Sequence, residues 1–392
     1  MNEMDPMLTL MQIAALAVAG MCHALLGSVK VPLARKLKID EDRVGGLVSV
    51  FGFTLIPMVL AAGLLVDLLG TQAVLGGGFA LVLTSVVLLA CLKTYRTALV
   101  AVLVLGTGWA ALVNVLNVTS PPAFLPLDQI NDRMSYAMNM GDFIFGMGAF
   151  LTPILVAVLI ARIRIEPTFL VLSSFAVVPL LLGLGVDWER IAPKESQTVA
   201  AGLATLLADP IVWLCCLAFF CHVPIEASVA TWATTLMTRK GVGEGSASTL
   251  LSVFWLTFTG SRLLTALTLP AGFDTTLIVS LAALCIAFTL VLAFSGSAGL
   301  TCTAVIAAGL ILGPIFPTLI AILLSHVPDS LQGRAVGVFF CVGGIGWTAI
   351  PILIGSYAKR TSVERAFLIA TGAATLLTGL CAALAAALAR AE

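Results

Sequence analysis

Twelve stretches of this chain run for about 20 residues or more with almost no charge, long enough to cross the hydrocarbon of a bilayer. They cover residues 8–32, 44–66, 71–92, 97–119, 135–161, 167–186, 209–237, 246–269, 274–295, 298–325, 335–358 and 364–389. Lipid offers a buried backbone no hydrogen-bond partner, so each such stretch must satisfy its own N–H and C=O groups. An apolar run of that length does so as an α-helix. Composition agrees: 60% of the 392 residues are hydrophobic, 10% are charged, and the mean hydropathy is +1.11. Soluble domains carry about 25% charged residues. The net charge of +0 leaves no basic footprint for nucleic acid. The opening residues, MNEMDPM, lack the basic region of a cleavable leader, so the first apolar run is expected to be a span. The nine cysteines are scattered, with no CxxC and no metal-finger spacing.

The longest polar connection, Asp187 to Thr198, has six spans on each side, and the two sides repeat each other. Span 5 carries Gly146, Gly148 and Pro153, followed by Arg162, Glu166 and Phe169. Span 11 carries Gly344, Gly346 and Pro351, followed by Arg360, Glu364 and Phe367, every pair offset by 198 residues. Leu47–Phe51 of span 2 reads LVSVF and Leu250–Phe254 of span 8 reads LLSVF, offset 203. Cys22-His23 of span 1 and Cys221-His222 of span 7 are offset by 199. Three regions in the same order at nearly one offset imply duplication. The expected fold is therefore an all-α integral membrane protein, with twelve transmembrane helices in two pseudo-symmetric six-helix bundles. The bundles span residues 1–186 and 209–392, joined by a cytoplasmic linker at 187–208.

Gly63-Leu-Leu-Val-Asp67-Leu-Leu-Gly70, between spans 2 and 3, resembles the major facilitator signature GxLxDxxG, although Thr71, Gln72 and Ala73 stand where basic residues usually follow. Other stretches are similar to the fucose–glucose–proton symporter branch of that family. They are AMNMGDFIFGMGAFLTPIL in span 5, HVPIEASVATWATTLM in span 7, Gly260-Ser-Arg262-Leu263 in span 8 and Gly313-Pro314-Ile-Phe316-Pro317-Thr318 in span 10. The resemblance covers nearly the whole chain. It implies a secondary transporter, not an enzyme, that binds solute near the membrane midplane between its halves and rocks them around it. It further implies a sugar as cargo, often with a proton, gating through Asp67, and both termini on the cytoplasmic side. The acid typical of the middle of helix 1 in that branch is not evident; His23 occupies the region instead.

Ionisable side chains inside a bilayer are costly and face a cavity or a partner. His23, Asp142, His222, Glu226 and Arg262 are the candidates. His23 and His222 fall at repeat-related positions, and an imidazole changes charge near neutral pH; the bland reading is a pair of inherited packing residues. Glu226 follows His222 by four residues on one helix face, with Pro224 between them removing a backbone hydrogen bond. A carboxyl there suits a proton carrier or an acceptor for sugar hydroxyls, against the simpler role of holding the bend. Asp142 and Arg262 each lie about 10 Å into their spans at 1.5 Å per residue, and the fold resemblance makes helices 5 and 8 neighbours. They read either as a pair joining the halves or as two separate local pairs. Asn114, Asn117, Asn139, Trp109, Trp232 and Trp255 offer amides for hydroxyls and rings for an apolar sugar face, although any single tryptophan is more often packing or interfacial. Thr318 follows Pro317 and is placed on the cavity. Gly106, Gly108, Gly146, Gly148, Gly344 and Gly346 are expected to let helices approach closely. There is no phosphate loop, no nucleophile–base set and no HExxH, so no cofactor or resident metal is expected.

Lysine and arginine favour the cytoplasmic side of membrane proteins. With the N-terminus inside, fourteen would lie outside and five inside, including Arg133, Arg190, Lys194, Arg334 and Arg390. This count opposes the family topology. The cluster Lys30–Arg43 reads either as a basic vestibule drawing an anionic solute, partly cancelled by Asp40, Glu41 and Asp42, or as a solvated helix end. The expected partners are a small-molecule substrate, protons and the lipid bilayer, for a monomer in a bacterial inner membrane. Beside monosaccharide carriage stand an organic-anion or drug carrier, a carrier of a soft divalent metal using Cys22, His23, Cys221 and His222, and a receptor that binds without transport.

Overall fold

The computed structural model describes residues 4–91, 93–191 and 199–391; of 199–201, 348–352, 359 and 391 it describes the backbone alone. Lys194 and most of the polar connection fall outside the described residues, as does the side chain of Pro351. The long helices are α1 (Pro6–Ser28), α2 (Glu41–Leu69), α3 (Thr71–Cys91), α4 (Tyr95–Phe124), α5 (Ile130–Ile160), α6 (Ile165–Leu182), α7 (Pro210–Arg239), α8 (Glu244–Thr268), α9 (Asp274–Phe294), α10 (Ala298–His326), α11 (Gln332–Arg360) and α12 (Val363–Ala391). Among the described residues, eleven helices are long and apolar enough to cross a membrane. The remaining helix, α11, has 29 residues, about 43 Å at 1.5 Å per residue. Each expected span coincides with one helix to within a few residues. Leu184 is 73% exposed and Phe294 72%, a surface that suits lipid contact and not water.

The sequence patterns explain where helices begin and stop. Asp5 caps α1 by accepting the Met7 amide, with Pro6 in the first turn. Asp209 and Pro210 start α7 in the same way, with the Ile211 amide donating to Asp209. Span 1, expected to reach residue 32, stops at Ser28. A separate short helix, Lys30–Leu37, follows and ends on Lys38 in the left-handed region (φ 54). The linker at 187–208 holds two further helices, Trp188–Ile191 and Val199–Ala208. α10 is broken at Gly313-Pro314 into Ala298–Leu312 and Ile315–His326, because prolines 314 and 317 bring no amide hydrogen to the ladder.

Two compact units result. Unit 1 is Met1–Asn131, Gly141–Leu203 and Pro328–Cys341; unit 2 is Asp132–Met140, Ala204–Val327 and Val342–Glu392. The start of α11 therefore packs with unit 1 and the start of α5 with unit 2. Within unit 1, α1 packs on α4 and α6, α2 on α4, and α3 on α4 and α6. Within unit 2, α7 packs on α10 and α12, α8 on α10, and α9 on α10 and α12. The helix pairings thus repeat in the order of the duplicated sequence.

Close approaches are built on glycine. A Cβ on Gly148 of α5 would fall onto the Ala17 carbonyl of α1, and one on Gly20 of α1 onto the Phe145 carbonyl of α5. In unit 2 a Cβ on Gly346 of α11 would sit 2.6 Å from the Phe220 carbonyl of α7. That carbonyl has no helical donor, because Pro224 four residues on has no amide hydrogen. A Cβ on Gly106 would fall 2.8 Å from Thr54, and one on Gly108 2.8 Å from the Gly78 carbonyl. These four expected glycines serve close packing; Gly20, Gly63, Gly309, Gly313 and Gly343 do so as well and were not expected.

Gly148→Leu should overpack the α1–α5 contact at a cost of about 1–3 kcal/mol or more, read as a lower thermal midpoint and a smaller monodisperse fraction in detergent. Gly260→Ala, where nothing lies within 4 Å of the new Cβ, should be neutral or stabilise by up to ~1 kcal/mol. Equal effects of the two would refute the packing account.

Candidate substrate and coupling site

The densest group of membrane-embedded ionisable residues in unit 2 lies on α7 and α8. His222 is fully buried, and its Nε2 lies 3.6 Å from the Glu226 carboxylate one turn on. That is close enough for electrostatic coupling and too long for a good hydrogen bond. Neither ring nitrogen of His222 has a hydrogen-bond partner among the described residues, a cost of about 1–3 kcal/mol for an unpaired buried polar group. The Glu226 side chain keeps 14% exposure. Arg262 of α8, 7% exposed, stacks its guanidinium 4.4 Å from the Phe258 ring and acts electrostatically on His222. Its Nε donates to the Gly313 carbonyl at 3.1 Å. The reason lies in the sequence: Pro317 has no amide hydrogen for that carbonyl, so the break in α10 presents an acceptor to Arg262. The GSRL and GPIFPT stretches meet at this bond.

Two further candidates of unit 2 meet each other. The Asn139 amide donates to the Ser135 carbonyl at 2.9 Å and to the Thr318 hydroxyl at 3.3 Å. Both Asn139 and Thr318 are fully buried. Trp232 is half-buried on α7, its ring facing Gly355 of α11. The pair that sequence reasoning missed here is Asp209 with His326, 2.7 Å apart, which ties the start of α7 to the end of α10. Neither residue lies deep in a span, which is why a search for mid-membrane charge passed over them.

In unit 1, His23 is exposed and stacks on Trp109 (centroids 5.3 Å apart, 26° between planes), with the Phe145 ring 5.8 Å away. Trp109 is buried, donates its indole N–H to the Ala19 carbonyl at 2.9 Å, and packs on Phe51. The ring expected to face sugar thus stacks on His23 in this structure. Asn117 is half-buried and donates to Val113 of its own helix at 2.7 Å. Asp142, half-buried, follows Gly141 on α5.

Asn114 and Asp67 converge on the start of α11. The Asn114 amide donates to the Gly333 carbonyl at 2.8 Å and to Val59 at 3.3 Å. Asp67 forms an ion pair with Arg334, which is 2% exposed. The first glycine of the signature, Gly63, lies against the Gly333 backbone. The GxLxDxxG stretch therefore supplies a surface without a Cβ and a carboxylate one turn later, and together they hold α11. Arg334 had been counted only as a loop cation; nothing in its local sequence marks it as the partner of Asp67. Gln12 was also missed. It is fully buried and clasps α1 to α4 through Leu116, Ser120 and Thr119, each at 2.8 Å. Among the described residues no three His, Cys, Asp or Glu side chains are grouped to hold a metal ion, and Cys22 is buried while the adjacent His23 is exposed.

A model of the Major Facilitator Superfamily matches residues 13–351. Among solved structures, the E. coli fucose:proton symporter superposes with a TM-score of 0.79 at 15% identity, covering 96% of this chain and 99% of that one. The human organic anion transporter MFSD10 gives 0.78 at 15% identity over 96% and 99%. The proton:xylose symporter XylE gives 0.74 at 13% identity over 95% and 94%. Bypass of stop codon protein 6 of Saccharomyces cerevisiae is 26% identical over 181 residues, 43% of this chain and 36% of that protein. The chain thus matches little more than a third of the length of this curated relative.

Removing either partner of the Asp67–Arg334 pair should cost ~3–5 kcal/mol, because a buried charge is left alone. Asp67→Asn combined with Arg334→Gln should lose less than the sum of the single losses. A double-mutant cycle on thermal unfolding measures this, and strict additivity would show that the pair is not coupled.

Proposed function

We propose that this chain, which belongs to the Major Facilitator Superfamily, is a secondary transporter that carries a monosaccharide together with a proton by alternating access. The observation that carries this reading is the His222–Glu226 couple: a carboxylate deep in a membrane helix, 3.6 Å from an imidazole whose nitrogens lack hydrogen-bond partners among the described residues. A carboxyl that gains and loses a proton changes by a full charge in a medium that penalises charge, so its protonation state biases which conformation is stable. The unsatisfied imidazole is a ready partner for a hydroxyl. Support also comes from two neighbours of like fold whose names record sugar and proton, for fucose and for xylose. The polyhydroxy solute would use His222 and Glu226 of unit 2, and the carrier would work as a monomer in a cell membrane.

A second reading has its own observation. The buried guanidinium of Arg262 suits a carboxylate, and the human organic anion transporter is as similar in fold as the sugar symporters. In this reading the cargo is a small organic anion.

The test is uptake of labelled monosaccharides into proteoliposomes with and without an inward proton gradient. Saturable uptake driven by the gradient is expected. Glu226→Gln should abolish gradient-driven accumulation while sugar–sugar exchange persists, because exchange moves no net proton. Uptake indifferent to both gradient and mutation would leave an uncoupled sugar carrier. No sugar uptake, with transport of organic anions lost in Arg262→Gln, would replace the leading reading by the second.

A further inference from the structure

One end of unit 1 gathers three connections, α1–α2, α3–α4 and α5–α6. Lys36 shows that they touch. It lies on the short helix after α1, donates to the Leu89 and Ala90 carbonyls at the end of α3 (2.7 and 2.5 Å), and sits 5.8 Å above the Phe169 ring of α6. This lysine is used up internally as a cap on α3, where cations are favoured. Burial, with Lys93 nearby, lowers its proton affinity, against the favourable charge of Glu166.

The rest of this end is strongly basic. Its three connections and helix ends hold nine lysines and arginines against four acids, Asp40, Glu41, Asp42 and Glu166. Lys30 pairs with Glu41 at 3.8 Å and Arg164 with Glu166 at 3.5 Å. Glu41, Asp42 and Glu166 lie in the first turns of α2 and α6, where helix dipoles already favour negative charge. Six cations, Arg35, Lys38, Arg43, Lys93, Arg96 and Arg162, are exposed. They are spread over all three connections, at the level where α1, α3 and α5 stop and α2, α4 and α6 start. The helix Lys30–Leu37 buries Leu33, Ala34 and Leu37 in the unit and turns Arg35 and Lys36 toward its last turn.

We infer that this basic crown is a docking surface for the headgroups of anionic phospholipids. Helix ends of a spanning bundle lie at headgroup depth, and long basic side chains there lay their stems on apolar surface and reach the interface. Each basic residue near an anionic bilayer surface contributes about 1 kcal/mol. A soluble anion needs convergent ligands in a pocket. These cations are instead spread over three connections at the ends of six helices. The inference does not depend on the nature of the cargo.

The experiment reconstitutes the full chain in mixed phosphatidylcholine–phosphatidylglycerol vesicles and measures the relative association of spin-labelled phosphatidylglycerol and phosphatidylcholine. Wild type should select phosphatidylglycerol, and should lose that selectivity at about 1 M salt, where the screening length falls to ~3 Å. The quadruple variant R35Q/K38Q/R43Q/R96Q should lower the selectivity at least about fivefold, whereas R35K/R43K/R96K/R162K should retain it. The thermal unfolding midpoint and monodisperse fraction in detergent report that each variant is folded. If the glutamine variant does not fold, the salt titration of wild type decides alone: selectivity that survives high salt overturns the inference. So does a wild type indifferent to phosphatidylglycerol, or one that binds inorganic phosphate instead.

Discussion

A backbone carbonyl inside lipid has no water to turn to, and the rest of this structure is organised around that fact. It makes every crossing a helix and makes each proline a local debt. The two clearest cases are met by different devices. The Phe220 carbonyl, freed by Pro224, is closely approached by Gly346 of α11, where the missing side chain lets the backbones meet. The Gly313 carbonyl, freed by Pro317, is taken by the Arg262 guanidinium. Packing answers the first and a charge answers the second. The charge is thereby fixed beside His222, so a backbone defect and the polar site of unit 2 have one origin.

The same logic governs buried side chains. Arg334 tolerates near-complete burial because Asp67 is opposite it, and Gln12 because three neighbours on α4 satisfy its amide. His222 is different: it is buried, and its ring nitrogens lack hydrogen-bond partners among the described residues. A buried polar group left in that condition lowers stability, and such residues concentrate where a solute or a proton supplies the missing bond. The satisfied clasps of unit 1 thus contrast with this imidazole of unit 2.

The charge distribution also becomes readable once pairing is known. The cations after α1, α3 and α5 counted as one undifferentiated excess. Lys36 caps the end of α3, Lys30 and Arg164 stand in ion pairs, and Arg35, Lys38, Arg43, Lys93, Arg96 and Arg162 are exposed at helix ends. At this end of unit 1 the lysine and arginine excess is carried mainly by exposed side chains at helix ends.

The sequence by itself determined the all-α membrane class, the twelve long helices, the duplication and the close packing at Gly106, Gly108, Gly148 and Gly346. Each depends on length, hydropathy, periodicity or the absence of a Cβ, and these are local properties. It also placed His222 and Glu226 on one face of one helix, since four residues make about one turn. Only the tertiary structure decided that Asp67 meets Arg334, that Asn139 meets Thr318 and Asn114 meets Gly333, and that Trp109 stacks on His23. These pairs are separated by many tens to hundreds of residues. No local spacing encodes a contact between helices whose order in space is set by the packing of all of them. The break of α10 was written in Gly313 and Pro314. What that break was for, an acceptor aimed at Arg262, existed only once α8 lay beside it.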